Sequence, residues 1–206
     1  MRRTVLTLGA AALLTAATIA PVFADNTPVT DPALMPAGTY NLDKTHASLL
    51  FEISHLGFSH YAGRFDDFDA KLDFKPDNLA ASKVEATIQA KSVDTNNAHL
   101  AEKLPSDEFF KAGTYPTFTF TSKELTKTGS NTGVMKGELT MLGITKPITM
   151  DVTFVGGGVH PFSKKPTIGF HAEGKLTRSE WGITNLVPMV GDEVTFEINA
   201  EFNKAD

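Results

Sequence analysis

Near the C-terminus the chain reads Val194-Thr195-Phe196-Glu197-Ile198-Asn199-Ala200-Glu201-Phe202, with an apolar side chain at every even position and a polar one at every odd position. Successive side chains of an extended chain point to opposite sides, so this run predicts a β-strand with one apolar and one solvated face. Working outward toward the N-terminus, the alternation recurs at Ile168, Phe170, Ala172 and Leu176, and at Ile148, Met150, Val152 and Phe154. It continues at Leu139 and Met141, at Phe118 and Phe120, and at Val84, Ala86, Ile88 and Ala90. Phe68, Ala70, Leu72 and Phe74 repeat it, as do Leu49, Phe51 and Ile53, which makes eight half-buried strands. Turns are expected at Asp77-Asn78, at Gly129 to Gly133 and at Gly156 to Gly158, where Gly and Asn relax the backbone. One stretch breaks the rhythm. Thr95 to Gly113 reads as a helical insertion in which Asp94 or Thr95 caps, Leu100 and Leu104 share a face and Pro105 stops the first helix. Ser106 then caps a second short turn that carries Phe109 and Phe110.

Composition narrows the function classes. A chain of 206 residues suits one domain. The absence of cysteine removes disulfide scaffolds, thiol nucleophiles, Cys-ligated metals and a lipid-modified cysteine anchor. With 19 Lys+Arg against 24 Asp+Glu and scattered signs, the chain lacks the basic stripe of a nucleic-acid binder. Fifteen Phe against three Tyr and one Trp point to an interior built from large rings without polar handles.

Residues 1–24 have the pattern of a signal peptide: Arg2 and Arg3, an apolar stretch from Val5 to Ile19, and a cleavage site after Pro21-Val22-Phe23-Ala24. Cleavage after Ala24 would leave 182 residues and take the net charge from −5 to −7. An uncleaved membrane anchor from about Val5 to Phe23 is the competing reading, and twin Arg also allows the folded-export route besides the general one. Residues 25–38, punctuated by Pro28, Pro32 and Pro36, read as a linker, and 39–206 as the folded domain.

Eight alternating antiparallel strands fold as a sandwich or as a closed barrel, and an outer-membrane barrel alternates as well. Here the polar faces are dense in Asp, Glu and Lys and no Tyr/Trp girdle is present, which suits solvent outside and an apolar inside.

Three early segments, Asp43-Lys44-Thr45-His46-Ala47-Ser48, Ser54-His55-Leu56-Gly57-Phe58-Ser59 and Gly63-Arg64-Phe65, resemble the YceI-like, polyisoprenoid-binding family. The match continues through Ser92-Val93-Asp94-Thr95, Phe109-Phe110, Tyr115-Pro116-Thr117-Phe118 and Gly137-Glu138-Leu139-Thr140. Gly143-Ile144-Thr145-Lys146-Pro147 and Arg178-Ser179-Glu180-Trp181-Gly182 complete it. Ala47 departs from the family pattern, which more often has Ser after this His. The resemblance implies a lipocalin-like barrel, which together with the strand pattern gives an all-β, eight-stranded antiparallel lipocalin-like barrel with one helical insertion at about 95–113. It also implies export to a bacterial periplasm and an isoprenoid or quinone-type lipid in the bore.

Catalytic motifs are missing: the sequence holds no Gly-x-Ser-x-Gly elbow, no phosphate loop ending in Gly-Lys and no His-Glu-x-x-His. His55 and His60, five apart on an extended strand, point to opposite faces and share no metal unless a turn brings them and His46 together. Asp43 and His46 read as a pair that pins a strand start, with a catalytic pair as the alternative. The expectation is therefore a non-enzymatic carrier with no cofactor and no metal, no nucleic-acid partner and no membrane insertion after cleavage. The competing readings are a structural or stress protein whose bore is filled by its own Phe, and an isoprenoid-modifying enzyme. Dimerisation through barrel edges stays open at this point.

Extending each apolar face to its strand end places His55, Lys146, Arg178 and Asp192 on one rim, beside Trp181, as candidate head-group contacts. The insertion would cover that rim with Phe109 and Phe110. Phe58, Phe110, Phe118, Phe120 and Phe170 are the candidate tail contacts. Ala70, Ala86, Ala90, Gly137, Ala172, Gly174 and Ala200, small and inward, favour a hollow bore.

Overall fold

The computed structural model describes residues 27–206; the expected signal peptide lies outside them. In chain order the elements are β1 (Gly38–His55), β2 (Ser59–Phe65), β3 (Phe68–Phe74), β4 (Lys83–Gln89), β5 (Val93–Asp94) and α1 (Ala98–Lys103). There follow β6 (Thr117–Lys127), β7 (Thr132–Met141), β8 (Ile144–Val159), β9 (Pro166–Thr177) and β10 (Val190–Lys204). Among the described residues, eight strands close a ring in the order β1-β3-β4-β6-β7-β8-β9-β10, with β10 pairing back onto β1. Every pairing is antiparallel. This is the closed barrel, not the sandwich, and closure leaves no free edge within the ring.

The eight ring strands are the eight that alternation predicts. β2 and β5 are additions, and both extend a neighbour. β1 pairs through Gly38–Asn41 with β3 and through Leu50–His55 with β2, so β2 and β3 form one interrupted stave. β5 continues β4 in the same way by pairing with β2. Gly63, inside β2, hides its alternation, because Tyr61, Gly63 and Phe65 point inward with no side chain at the middle position.

Two expectations are corrected. The helical insertion contains one short α-helix, α1, capped by Asn97, whose side chain accepts from Leu100 N at 3.2 Å; Asp94 and Thr95 lie in or beside β5 instead. The remainder up to Pro116 is a series of hydrogen-bonded turns. Gly156 to Gly158 is not a turn; it belongs to β8, and the hairpin to β9 turns at His160–Lys165. These glycines are a seat for the N-terminal stretch. A Cβ on Gly156 would stand 2.9 Å from Pro28 Cβ, and one on Gly157 would stand 2.8 Å from Met35 Sδ. Val29 and Gly157 exchange two backbone hydrogen bonds of 2.8 Å, and Tyr40 Oη donates to Pro36 O at 2.7 Å. From Val29 onward the Pro-punctuated stretch is thus docked on the barrel rather than running free.

The β1–β10 seam carries a second device. Between Leu42–Phe202 and Ala47–Ala200 the register slips, and Asp43 to His46 bulge out of β1. Asp43 holds the bulge by accepting from Thr45 N (3.0 Å), Thr45 Oγ1 (2.6 Å), His46 Nδ1 (3.1 Å) and, across on β10, Asn203 Nδ2 (3.1 Å). These bonds, led by the Thr45 hydroxyl, hold the Asp43 carboxyl well below the usual carboxylate range, and the same contact raises His46. Glu201 joins Asp43 and His46 within reach of a common point. Asp43, already accepting four hydrogen bonds, is occupied as a pin.

Candidate ligand-binding cavity

The inward faces of the barrel do not meet. They enclose a cavity of about 720 Å³ that runs the length of the bore, within the roughly 300–1,000 Å³ typical of small-molecule sites. Inward side chains such as Leu49, Phe51, Ile53, Phe68, Val84, Leu176, Val194, Phe196 and Ile198 are only half-buried because they face this space rather than one another. Packing fills only parts of the interior. One cluster, with Tyr40, Phe74, Phe154, Ile168 and Phe202, closes much of the end where β1 begins, hereafter the lower end. Another, with Phe118, Phe120, Leu139 and Met141, lines the wall toward the upper end, where β1 finishes at His55, and Trp181 belongs to the same packed cluster without reaching the cavity.

Glycines keep the rings out of the way. Phe51 pairs with Gly63 and Phe196 with Gly174, while Phe120 lies diagonally across from Gly137. A Cβ on any of these glycines would fall inside 3.0 Å of that ring. Each Phe therefore lies flat over a gap in the neighbouring strand instead of projecting into the bore. Ala70, Ala86, Ala172 and Ala200 also line the cavity; Ala90 is buried in a 3-10 turn away from it.

Of the expected contacts, His55, Phe110, Phe118, Phe120, Phe170 and Arg178 line the cavity. Phe110 meets Phe65 at a tilt and Phe118 edge to face, its ring centroid 6.0 and 5.5 Å from theirs, which ties the insertion to the upper wall. Four expected contacts lie off the wall. Phe58 is 86% exposed at the tip of the β1–β2 hairpin. Trp181 is 1% exposed, and its Nε1 donates to Leu139 O at 3.1 Å. Lys146 pairs with Leu139 at the end of β7–β8 that the Arg178–Trp181 turn covers. Asp192 leaves the wall because the five residues Val190 to Val194 of β10 stand against only three of β1, His55 to Ile53, and the bulge turns it away. Its carboxylate accepts from Ser179 N (2.8 Å) and Ser179 Oγ (2.6 Å), which lower its pKa.

Arg178 lines the cavity, yet its donors are committed. Nε donates to Gly191 O (2.8 Å), Nη1 to Ile183 O (2.9 Å), and Nη2 to Asn185 O (2.9 Å) and Val190 O (3.0 Å). Arg178 is 5% exposed, and burial lowers its pKa against the opposing field of Asp192. Arg178 thereby fastens the loop between β9 and β10.

Two cations that strand parity does not reveal stand at the other end. In β6, Phe118, Phe120 and Ser122 face inward, but the register slips between Ser122 and Glu124. The extra residue reverses the faces, so Leu125 and Lys127 reach the cavity and Glu124 does not. Leu125 out of phase with Phe118 and Phe120 was the signal in the sequence. Lys83, at the start of β4, also borders the cavity at this end, as do Ser82, Ser130 and Thr132, while its Nζ donates to Lys123 O at 2.9 Å.

A sequence model described as a YceI-like domain matches residues 40–202. Protein YceI of Escherichia coli O157:H7 is 39% identical over 167 residues, which cover 80% of this chain and 86% of that protein. The crystal structure of the Campylobacter jejuni YCEI protein is similar at TM-score 0.65 and 34% identity, covering 74% of this chain and 90% of that one. A polyisoprenoid binding domain from Saccharophagus degradans shares the fold at TM-score 0.61 and 15% identity, covering 82% of this chain and all, 100%, of that one.

Proposed function

The chain belongs to the YceI-like family, and from that premise we propose that it is an exported carrier that encloses the tail of an isoprenoid-type amphiphile without altering it chemically. The observation that carries the reading is the unfilled bore: about 720 Å³ bounded by half-exposed Leu, Ile, Val and Phe. A structural protein with a filled core would bury those side chains against each other at crystal-like density. Each methylene moved from water into such a space contributes roughly 0.8 kcal/mol, so about ten contribute on the order of 8 kcal/mol before the cost of ordering the tail. The Saccharophagus relative, described as polyisoprenoid-binding, supports the ligand class. His55, Phe110, Phe118, Phe120 and Phe170 contact the ligand in this reading.

Export to a periplasm rests on residues 1–24, and N-terminal sequencing of the secreted chain tests it: a start at Asp25 is expected, and a start at Met1 or Arg2 would refute it. For the carrier itself, protein purified from its native compartment is extracted with organic solvent and the extract analysed by mass spectrometry. A long-chain isoprenoid near one per barrel is the expected result; an extract free of lipid speaks for the structural reading.

A further inference from the structure

Two segments that meet at the upper end contain no Lys, Arg, Asp or Glu: residues 53–63, which include the tip of the β1–β2 hairpin, and residues 181–191, which lead from the Arg178–Trp181 turn into β10. Across the whole chain 21% of residues are charged, so two such stretches side by side set this end apart. They are joined at their tips: Leu56 N donates to Met189 O at 2.8 Å, and His55 pairs with Val190. Their large apolar side chains stand in solvent. Leu56 is 47% exposed, Phe58 86%, Leu186 44% and Met189 56%. Leu186 also lines the cavity, so the patch continues into the bore at its upper rim.

Two of these leucines are held against the local backbone preference. Among the described residues Leu56 (φ 54°), Leu142 (φ 52°) and Leu186 (φ 63°) occupy the left-handed region that favours Gly or Asn. Leu142 is buried in the core, and its packing accounts for it. Leu56 and Leu186 gain no such burial, although Gly would relax the backbone at either turn. Exposed leucines kept in a disfavoured conformation imply a partner outside the chain.

The size and surroundings of the patch indicate which partner. At roughly 200 Å² for a large side chain in full exposure, the four present on the order of 450 Å². A stable protein–protein interface takes about 800 Å² from each partner. Below the tips the barrel wall carries ion pairs, such as Lys123–Glu138 and Lys175–Glu193 at 2.9 Å each, that keep it in water. Of the four residues that bound the two segments, Glu52, Glu180 and Asp192 are acids and Arg64 is the exception, which disfavours a surface of net negative charge. Apolar tips above a charged wall fit a contact that reaches only the boundary between head-groups and acyl chains.

We propose that the upper end docks peripherally on the surface of an electrically neutral phospholipid bilayer, with Leu56, Phe58, Leu186 and Met189 entering its apolar boundary and the rim of the bore set against it. This goes beyond the carrier reading and does not depend on it, since docking needs no ligand in the bore.

The test mixes the full mature chain with vesicles of phosphatidylcholine and reads the bound fraction by flotation. Binding that persists at high salt is expected, because apolar contact is not screened. Phe58→Ser should weaken it at least about tenfold, and Phe58→Ser combined with Met189→Ser should abolish it. Circular dichroism and urea midpoints establish that these exposed positions leave the fold intact. Phe162→Ser is the control: Phe162 is 88% exposed but lies at the lower end, between β8 and β9, and its loss should leave binding unchanged. A chain that stays off the vesicles overturns the proposal and leaves the carrier reading untouched. So does binding that high salt removes, or that Phe58→Ser leaves as strong as wild type. Dimerisation in solution that Phe58→Ser breaks, in a chain that ignores vesicles, also overturns it and assigns the patch to a second copy.

Discussion

The two ends of the barrel use positive charge in opposite ways. At the upper end Arg178 is buried and encircled by the carbonyls of Ile183, Asn185, Val190 and Gly191. At the lower end Lys127 is exposed and has no carboxylate partner within 4.0 Å among the described residues. Both side chains line the same cavity. The contrast teaches that facing a cavity does not make a cation a ligand contact. What matters is how many donors remain once the backbone has been satisfied.

Replacing each residue by alanine should separate the two ends most sharply. Arg178→Ala strips partners from four carbonyls at once, and about 3–5 kcal/mol of stability is expected to go, read as a shift in the urea unfolding midpoint. Arg178→Lys should recover little of it, because an ammonium cannot fork to so many acceptors. Lys127→Ala should stay within about 0.5 kcal/mol of wild type. Similar losses at both positions would break the comparison.

A smaller effect is expected on the wall between the ends. The three atoms nearest a Cβ at Gly63 all belong to the Phe51 ring, the closest at 2.4 Å, so Gly63→Ala must push that ring into the bore. The expected cost is about 1–3 kcal/mol. Phe51→Leu in the same chain should restore most of it, because the shorter side chain clears the new methyl. Failure of the double variant to recover would mean that Gly63 serves the backbone rather than the ring.

The smallest effect belongs to the Asp43–His46 pin, which is exposed at the histidine. His46 has a raised pKa in the fold, so its contribution is fully present below its unfolded pKa of about 6.5 and is lost as pH rises through the folded value. Asp43 behaves in the opposite sense: its depressed pKa gives stability above the ordinary carboxylate range that disappears in acid. Urea midpoints measured across neutral pH should fall slightly in wild type and stay flatter in His46→Gln. Identical slopes would remove His46 from the pin.

Most of the fold was legible in the sequence because alternation reports it directly. The eight ring strands and the inward set Leu49, Phe51, Ile53 and His55 follow from period two alone. Bulges are where that logic stops. One extra residue in β6 brings Lys127 to the cavity, and the slip in β10 takes Asp192 away from it. Neither change alters composition, and both act on the residues that carry charge. Arg178 illustrates a second limit: parity placed it on the wall, but its carbonyl partners come from a loop without periodicity. Gly63, Gly137 and Gly174 illustrate a third. Their role depends on which Phe lies across the register, and only the folded pairing shows that.

A hollow barrel whose hollow is the binding site can be tested by filling it. Ala86 and Ala172 both line the cavity, on β4 and β9. The decisive measurement is native mass spectrometry of wild type and of the variant carrying both Ala86→Phe and Ala172→Phe, after circular dichroism and cooperative unfolding establish that the variant keeps its fold. A wild-type barrel carrying one amphiphile and a folded variant that carries none are the expected results. A folded variant that retains the same lipid at the same occupancy would contradict a hollow binding site.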